Sequence, residues 1–141
     1  MSFNVNRKML LKLAEIRLDE AQCLLRLRKY HGASYLAGYS VECLLKAKIA
    51  GNVRKHDFPD KALANAAYTH ELEKLVGLAG LKIELDQSLA TNQDLSSNWS
   101  VVKDWKEDKR YDVSIKAHTA RDMISSINDP INGIAQWIKN H

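Results

Sequence analysis

At 141 residues the chain has the length of one ordinary domain, and such a chain buries roughly two-thirds of its unfolded surface without disulfide or metal staples. Hydrophobic residues at 45% and charged residues at 27% are those of a globular protein, and 6 Gly with 2 Pro are too few for the turns of an all-β fold. The excess of 21 Lys and Arg over 17 Asp and Glu gives +4 and a pI near 9.1, which fits an anionic partner such as RNA or a nucleotide but is also common among proteins that bind neither.

The first helix reads from Leu11, Ala14, Leu18, Ala21 and Leu25, a one-sided stripe stepping by three and four, with Tyr30-His31-Gly32 as the following turn. A second helix, about 33–50, places Leu36, Ala37, Ser40, Val41, Cys43, Leu44 and Ala47 around most of its circumference, the pattern of a helix packed on several sides. Gly38 costs about 1 kcal/mol there relative to alanine, which a close approach by a neighbour offsets. The pattern lapses from Gly51 to Tyr68, with Asp60 capping a short helix over 61–64. Thr69 then reads as the N-cap of a third helix that Gly77 and Gly80 stop. A fourth helix is expected over 81–95, followed by Trp99, Val102 and Trp105 at spacing three and a charged run to Arg110. The last helix begins near Ser114, and Ala120, Ile124, Ile127, Ile131, Ile134 and Ile138 form its stripe. Pro130 interrupts it, either as a kink or with Asp129 capping a new helix, and the unbroken stripe favours a kink or a near-continuous pair.

Cys23 and Cys43 both fall within helical patterns and read as buried thiols, with no Cys-x-x-Cys spacing for zinc. The five histidines show no ligand spacing on one helix face, and no glycine-rich phosphate loop follows a strand, so neither a metal nor another cofactor is expected. The N-terminus has no apolar signal core, and no run approaches the roughly 20 apolar residues of a membrane span. A cytoplasmic protein without membrane contact is the expectation.

Three stretches in this order resemble the HEPN family of helical bundles. Tyr35 to Ala47 (YLAGYSVECLLKA) is similar to the family's second helix; Thr69-His70-Glu71-Leu72 with Leu75 resembles its His-acidic-Leu element; Trp105 to Tyr111, ending in Arg110-Tyr111, resembles its Arg-Tyr element. The resemblance spans nearly the whole chain and implies one domain over 1–141: all-α, an antiparallel bundle of about five helices that often dimerises. Family members are frequently encoded beside small nucleotidyltransferases, and some are ribonucleases acting as toxins or in phage defence. The ribonucleases carry Arg, four to six residues, then His; the nearest match here, Arg110 and His118, has seven residues between.

The chemistry those two residues would serve is RNA cleavage by 2′-hydroxyl attack, with His118 exchanging protons and Arg110 offsetting phosphorane charge. Arg26 and His31 also fit the string but lie in the wrong loop. Lys103, Lys106, Lys109, Arg110 and Tyr111 combine cations with a stacking ring, a pattern that can bind nucleic acid or a nucleotide. Trp99 reads as core, and Trp105 as core or interface. Glu42 and Lys46, at i and i+4 on the apolar second helix, read as a structural ion pair or as the partner of Arg110 in a polar groove. The long Arg110–His118 spacing favours a binding and interaction module, a homodimer engaging nucleic acid, a nucleotide or a nucleotidyltransferase partner without catalysis of its own. The alternative is a metal-independent endoribonuclease of a toxin-antitoxin or phage-defence system using Arg110 and His118. Trp105 and Trp137 are expected to leave apolar surface for the dimer.

Overall fold

Small residues on the first two helices set the centre of the fold. In the computed structural model, which describes residues 6–53 and 61–141, helix α1 (Arg7–Arg26) starts at Asn6, whose side chain accepts from the Met9 N–H at 2.9 Å. It buries Leu10, Ala14 and Ala21 against α2 (Tyr30–Gly51), where Ala33 and Ala37 are fully inaccessible. The two helices form an antiparallel hairpin, with Gly51 at the end of α2 lying against the Arg7 side chain. Their connection differs from the sequence expectation. The Lys29 N–H reaches the Leu24 carbonyl at 2.8 Å and the Arg28 N–H the Leu25 carbonyl at 3.0 Å, with Arg28 left-handed at φ 61°. This Schellman closure normally uses glycine at that position. With Arg28 supplying it, the turn is Leu27–Lys29, and Tyr30, His31 and Gly32 already belong to α2.

Helix α2 is the spine of the bundle and packs on α1, α4, α7 and α8. Ser40, Cys43, Leu44 and Ala47 are buried as their pattern implies, whereas Leu36 is half-buried. Gly38 has the close neighbour that its sequence position calls for: a methyl group there would collide with the Trp105 indole.

The shorter segments close around this spine. Helix α3 (Lys61–Ala66) sends Leu63 against the core, and α4 (Leu72–Leu78) buries Leu72, Leu75 and Val76. Thr69 does not cap α4 itself; its hydroxyl accepts from the Glu71 N–H at 3.2 Å, and Glu71 is the N-cap residue. Gly80 ends α4 at φ 75°, with the Leu81 N–H on the Val76 carbonyl at 3.1 Å. Asn52 donates to the Ala79 carbonyl at 3.0 Å and ties the ends of α2 and α4 together.

The helix expected over 81–95 is two, α5 (Lys82–Thr91) and α6 (Gln93–Val102). Asn92 breaks it by adopting an extended conformation and capping α6, its Oδ1 accepting from the Leu95 N–H at 3.1 Å. A 3-10 turn (Glu107–Tyr111) follows, then α7 (Ala117–Asn128) and α8 (Ile134–Asn140). The kinked or near-continuous last helix is not observed. The Asp129 carboxylate accepts from the Ile131 and Asn132 N–H groups, both at 2.8 Å, and this turn separates α7 from α8. Ile131, part of the expected stripe, is 82% exposed. The fold is all-helical, with eight α-helical segments, one 3-10 turn and no strand among the described residues, more and shorter pieces than about five helices.

Trp99, Trp105 and Trp137 are all buried in one core, so Trp105 and Trp137 do not supply the leftover apolar surface expected of them. The Trp137 indole donates to Ser88 Oγ at 3.1 Å, joining α8 to α5. Among the described residues no helix is long and apolar enough to cross a membrane. Asp60, expected to cap the short helix, lies outside the described residues.

Candidate functional site

One face of α2 carries Ser34, Gly38 and Glu42 at spacing four. The segment leaving α6 crosses it as a strap. Trp105 seats its ring on Gly38, with its centroid 5.7 Å from that of Tyr35. Its indole N–H is buried and meets no acceptor among the described residues, a polar cost accepted for the ring's packing. Two residues on, the 3-10 turn begins with Glu107.

Glu42 is only 2% exposed, and its carboxyl group meets two nitrogens inside the bundle. Lys46 Nζ lies 3.5 Å from Oε2, and His70 Nδ1 lies 2.7 Å from Oε1. The other ring nitrogen of His70, Nε2, lies 3.1 Å from Glu107 Oε2. A neutral imidazole offers one donor and one acceptor, whereas an ionised carboxylate only accepts. His70 thereby links α2, the approach to α4 and the strap.

This geometry has chemical consequences. A histidine acting as general base needs a free ring nitrogen near its substrate, and both nitrogens of His70 face glutamates. Burial, reinforced by Glu42, pushes the neighbouring Cys43 thiol up to about 12, so it is a packed side chain rather than a nucleophile. Burial also raises Tyr39 above the ordinary phenol range. No group of three or more His, Cys, Asp and Glu among the described residues is arranged to hold a metal ion.

The residues singled out for binding lie further along the strap. Lys106 and Lys109 are exposed, and Tyr111 is 72% exposed. They border an open depression of about 540 Å³ together with Asp104, Asp108 and Asp112. The Asp112 carboxyl is held below its ordinary range by hydrogen bonds from the Ser114 hydroxyl and N–H, with Lys109 and His31 adding to the effect. Lys103 is half-buried and faces the groove between α5 and α6 instead. Arg110 belongs to the 3-10 turn, but its side chain lies outside the described residues. His118 is the exposed second residue of α7.

Glu42 and Lys46 therefore sit inside the bundle, joined by a histidine that the sequence shows only as part of a motif. The signal available was a charged pair on a helix apolar nearly all round, which must find internal partners. Nothing local marks Glu107 as the last member. No known protein family, curated protein or solved structure matches the chain.

Proposed function

We propose that this chain is a HEPN-type interaction module that engages a partner protein through the strap surface, without catalysis of its own. The observation that carries this reading is the use of both ring nitrogens of His70 by Glu42 and Glu107. His70 serves as a fastener, and the segment it fastens displays Lys106, Lys109 and Tyr111 outward.

Charge favours a protein partner over a polyanion. Between 103 and 112, Lys103, Lys106, Lys109 and Arg110 alternate with Asp104, Glu107, Asp108 and Asp112. Phosphate tracking needs an uncompensated cationic surface, because affinity comes from counterion release. A mixed pattern suits the polar rim of a protein interface around an aromatic anchor such as Tyr111. The partner class that the family resemblance implies is a nucleotidyltransferase, with the module itself as a homodimer.

The test is fluorescence anisotropy with a labelled 20-nucleotide RNA at about 150 mM salt, beside light scattering of the free protein. The expected result is RNA binding weaker than about 10 µM, the nonspecific range, and the mass of a dimer. Submicromolar RNA binding lost in a Lys106→Ala/Lys109→Ala variant would replace the protein partner with RNA.

A further inference from the structure

The turn between α1 and α2 carries a kind of charge that the strap does not. Arg26, Leu27, Arg28 and Lys29 are all exposed. None of the three cations has a carboxylate partner among the described residues. Arg26 instead donates from Nη2 to Cys23 Sγ at 3.0 Å, which steadies the guanidinium at the turn and leaves its remaining N–H groups to bond outward. Asp112 lies close enough to His31, in the first turn of α2, to feel its charge. That carboxylate is already engaged by the Ser114 hydroxyl and N–H, at 2.6 and 2.8 Å.

Helix polarity accounts for Arg26, which lies in the last turn of α1, where a cation meets the negative pole. Arg28 is a different case. It stands where the closure needs a left-handed residue, at φ 61°, and glycine would meet that need without strain. A long cationic side chain held there against the preference of the backbone points to a role outside the fold. Three adjacent uncompensated cations, two of them planar guanidiniums that match phosphate oxygens, suit a chain with one negative charge per nucleotide. Each phosphate contact releases a counterion, a gain that the strap largely lacks because its cations alternate with acids.

We infer that the α1–α2 turn is a contact site for the phosphate backbone of a nucleic acid, with Arg26, Arg28 and Lys29 as the contacting residues. This goes beyond the protein-binding role of the strap, and neither depends on the other. Phosphate contacts carry no sequence information, so the binding is nonspecific and strongly weakened by salt.

The test is fluorescence anisotropy of the full chain with a labelled 20-nucleotide oligouridine between about 30 and 150 mM KCl. The expected dissociation constant lies in the nonspecific micromolar range, and its logarithm rises against that of salt with a slope near 2, about 0.7 for each cation. Arg28→Gly should lower the slope by about 0.7 and weaken binding several-fold at low salt. Its melting temperature should stay the same or rise, because glycine suits the left-handed turn; a purely structural arginine would do the reverse. Arg26→Gln/Arg28→Gly/Lys29→Gln should remove most of the slope, and Lys8→Ala/Lys12→Ala, exposed at the other end of α1, should leave it unchanged. A slope that survives the triple substitution, binding lost in Lys106→Ala/Lys109→Ala instead, an Arg28→Gly protein that melts lower, or no binding below about 1 mM at low salt would each overturn the inference. Polyglutamate of equal length competing as well as the oligonucleotide would overturn it in favour of an acidic protein partner.

Discussion

Replacing His70 by alanine isolates the contribution of the Glu42–His70–Glu107 network. The substitution leaves the Glu42 carboxylate, 2% exposed, with Lys46 at 3.5 Å as its remaining donor. A hydrogen bond to a charged group contributes roughly 1.5–3 kcal/mol, and breaking a fully buried pair costs about 3–5 kcal/mol. The His70 side chain is 39% exposed, so water reaches the vacated position and moves the cost to the lower end, about 2 kcal/mol. The outer His70–Glu107 contact lies between groups 39% and 37% exposed, and its loss should cost only about 0.2–1 kcal/mol. Urea titrations followed by helical circular dichroism measure the change, and His70→Ala should also lower the melting temperature by about 4–8 °C for a chain of this size. Combining His70→Ala with Glu42→Ala should cost less than the two single changes added, by about 1 kcal/mol or more. A His70→Ala protein within about 0.5 kcal/mol of wild type refutes the clamp.

Gly38→Ala improves helix propensity by about 1 kcal/mol yet drives a methyl group into the Trp105 indole. It should therefore destabilise by about 1–3 kcal/mol in thermal melts and shift tryptophan emission to the red; a more stable variant would show that the strap does not lie on α2. Because hydrogen bonds from the Asn132 and Ile131 N–H groups lower the Asp129 pKa from 3.8, its carboxylate stabilises the α7–α8 turn above that value and loses the contribution as pH falls through the lowered one. Asp129→Ala should flatten the acid limb of the stability curve below pH 3.8, and an unchanged limb argues against the turn. Titration of the folded protein with a disulfide thiol reagent at pH 8 should label half-buried Cys23 and leave Cys43, pushed up to about 12, unreacted until denaturant is added; rapid labelling of both contradicts the packing around α2.

Local periodicity made the two long helices and the central position of α2 legible, and Gly38 announced a close neighbour without naming it. The breaks were harder to read, because they depend on backbone choices that side-chain pattern does not encode. Arg28 takes a left-handed conformation usually left to glycine, and Asn92 caps a helix in the middle of a polar stretch that reads as continuous. The isoleucine stripe across Pro130 is real in sequence, yet Ile131 points into solvent because Asp129 turns the chain first. For the candidate site, the Glu42–Lys46 pair could be read from helical spacing. Its link to His70 and Glu107 spans 28 residues on the first side and 37 on the second, a tertiary contact with no periodic trace. Packing has likewise withdrawn Trp105 and Trp137, expected to leave apolar surface, into the core.

The central claim is that the polar residues of this bundle hold its shape and present a binding surface rather than perform chemistry. Its most direct test is incubation of purified wild-type protein and His118→Ala with a mixed-sequence RNA in EDTA, resolved on a denaturing gel. No cleavage above a protein-free control is expected from either. Cleavage by the wild type that disappears in His118→Ala, with fold and mass unchanged, contradicts the account and makes His118 part of a ribonuclease site.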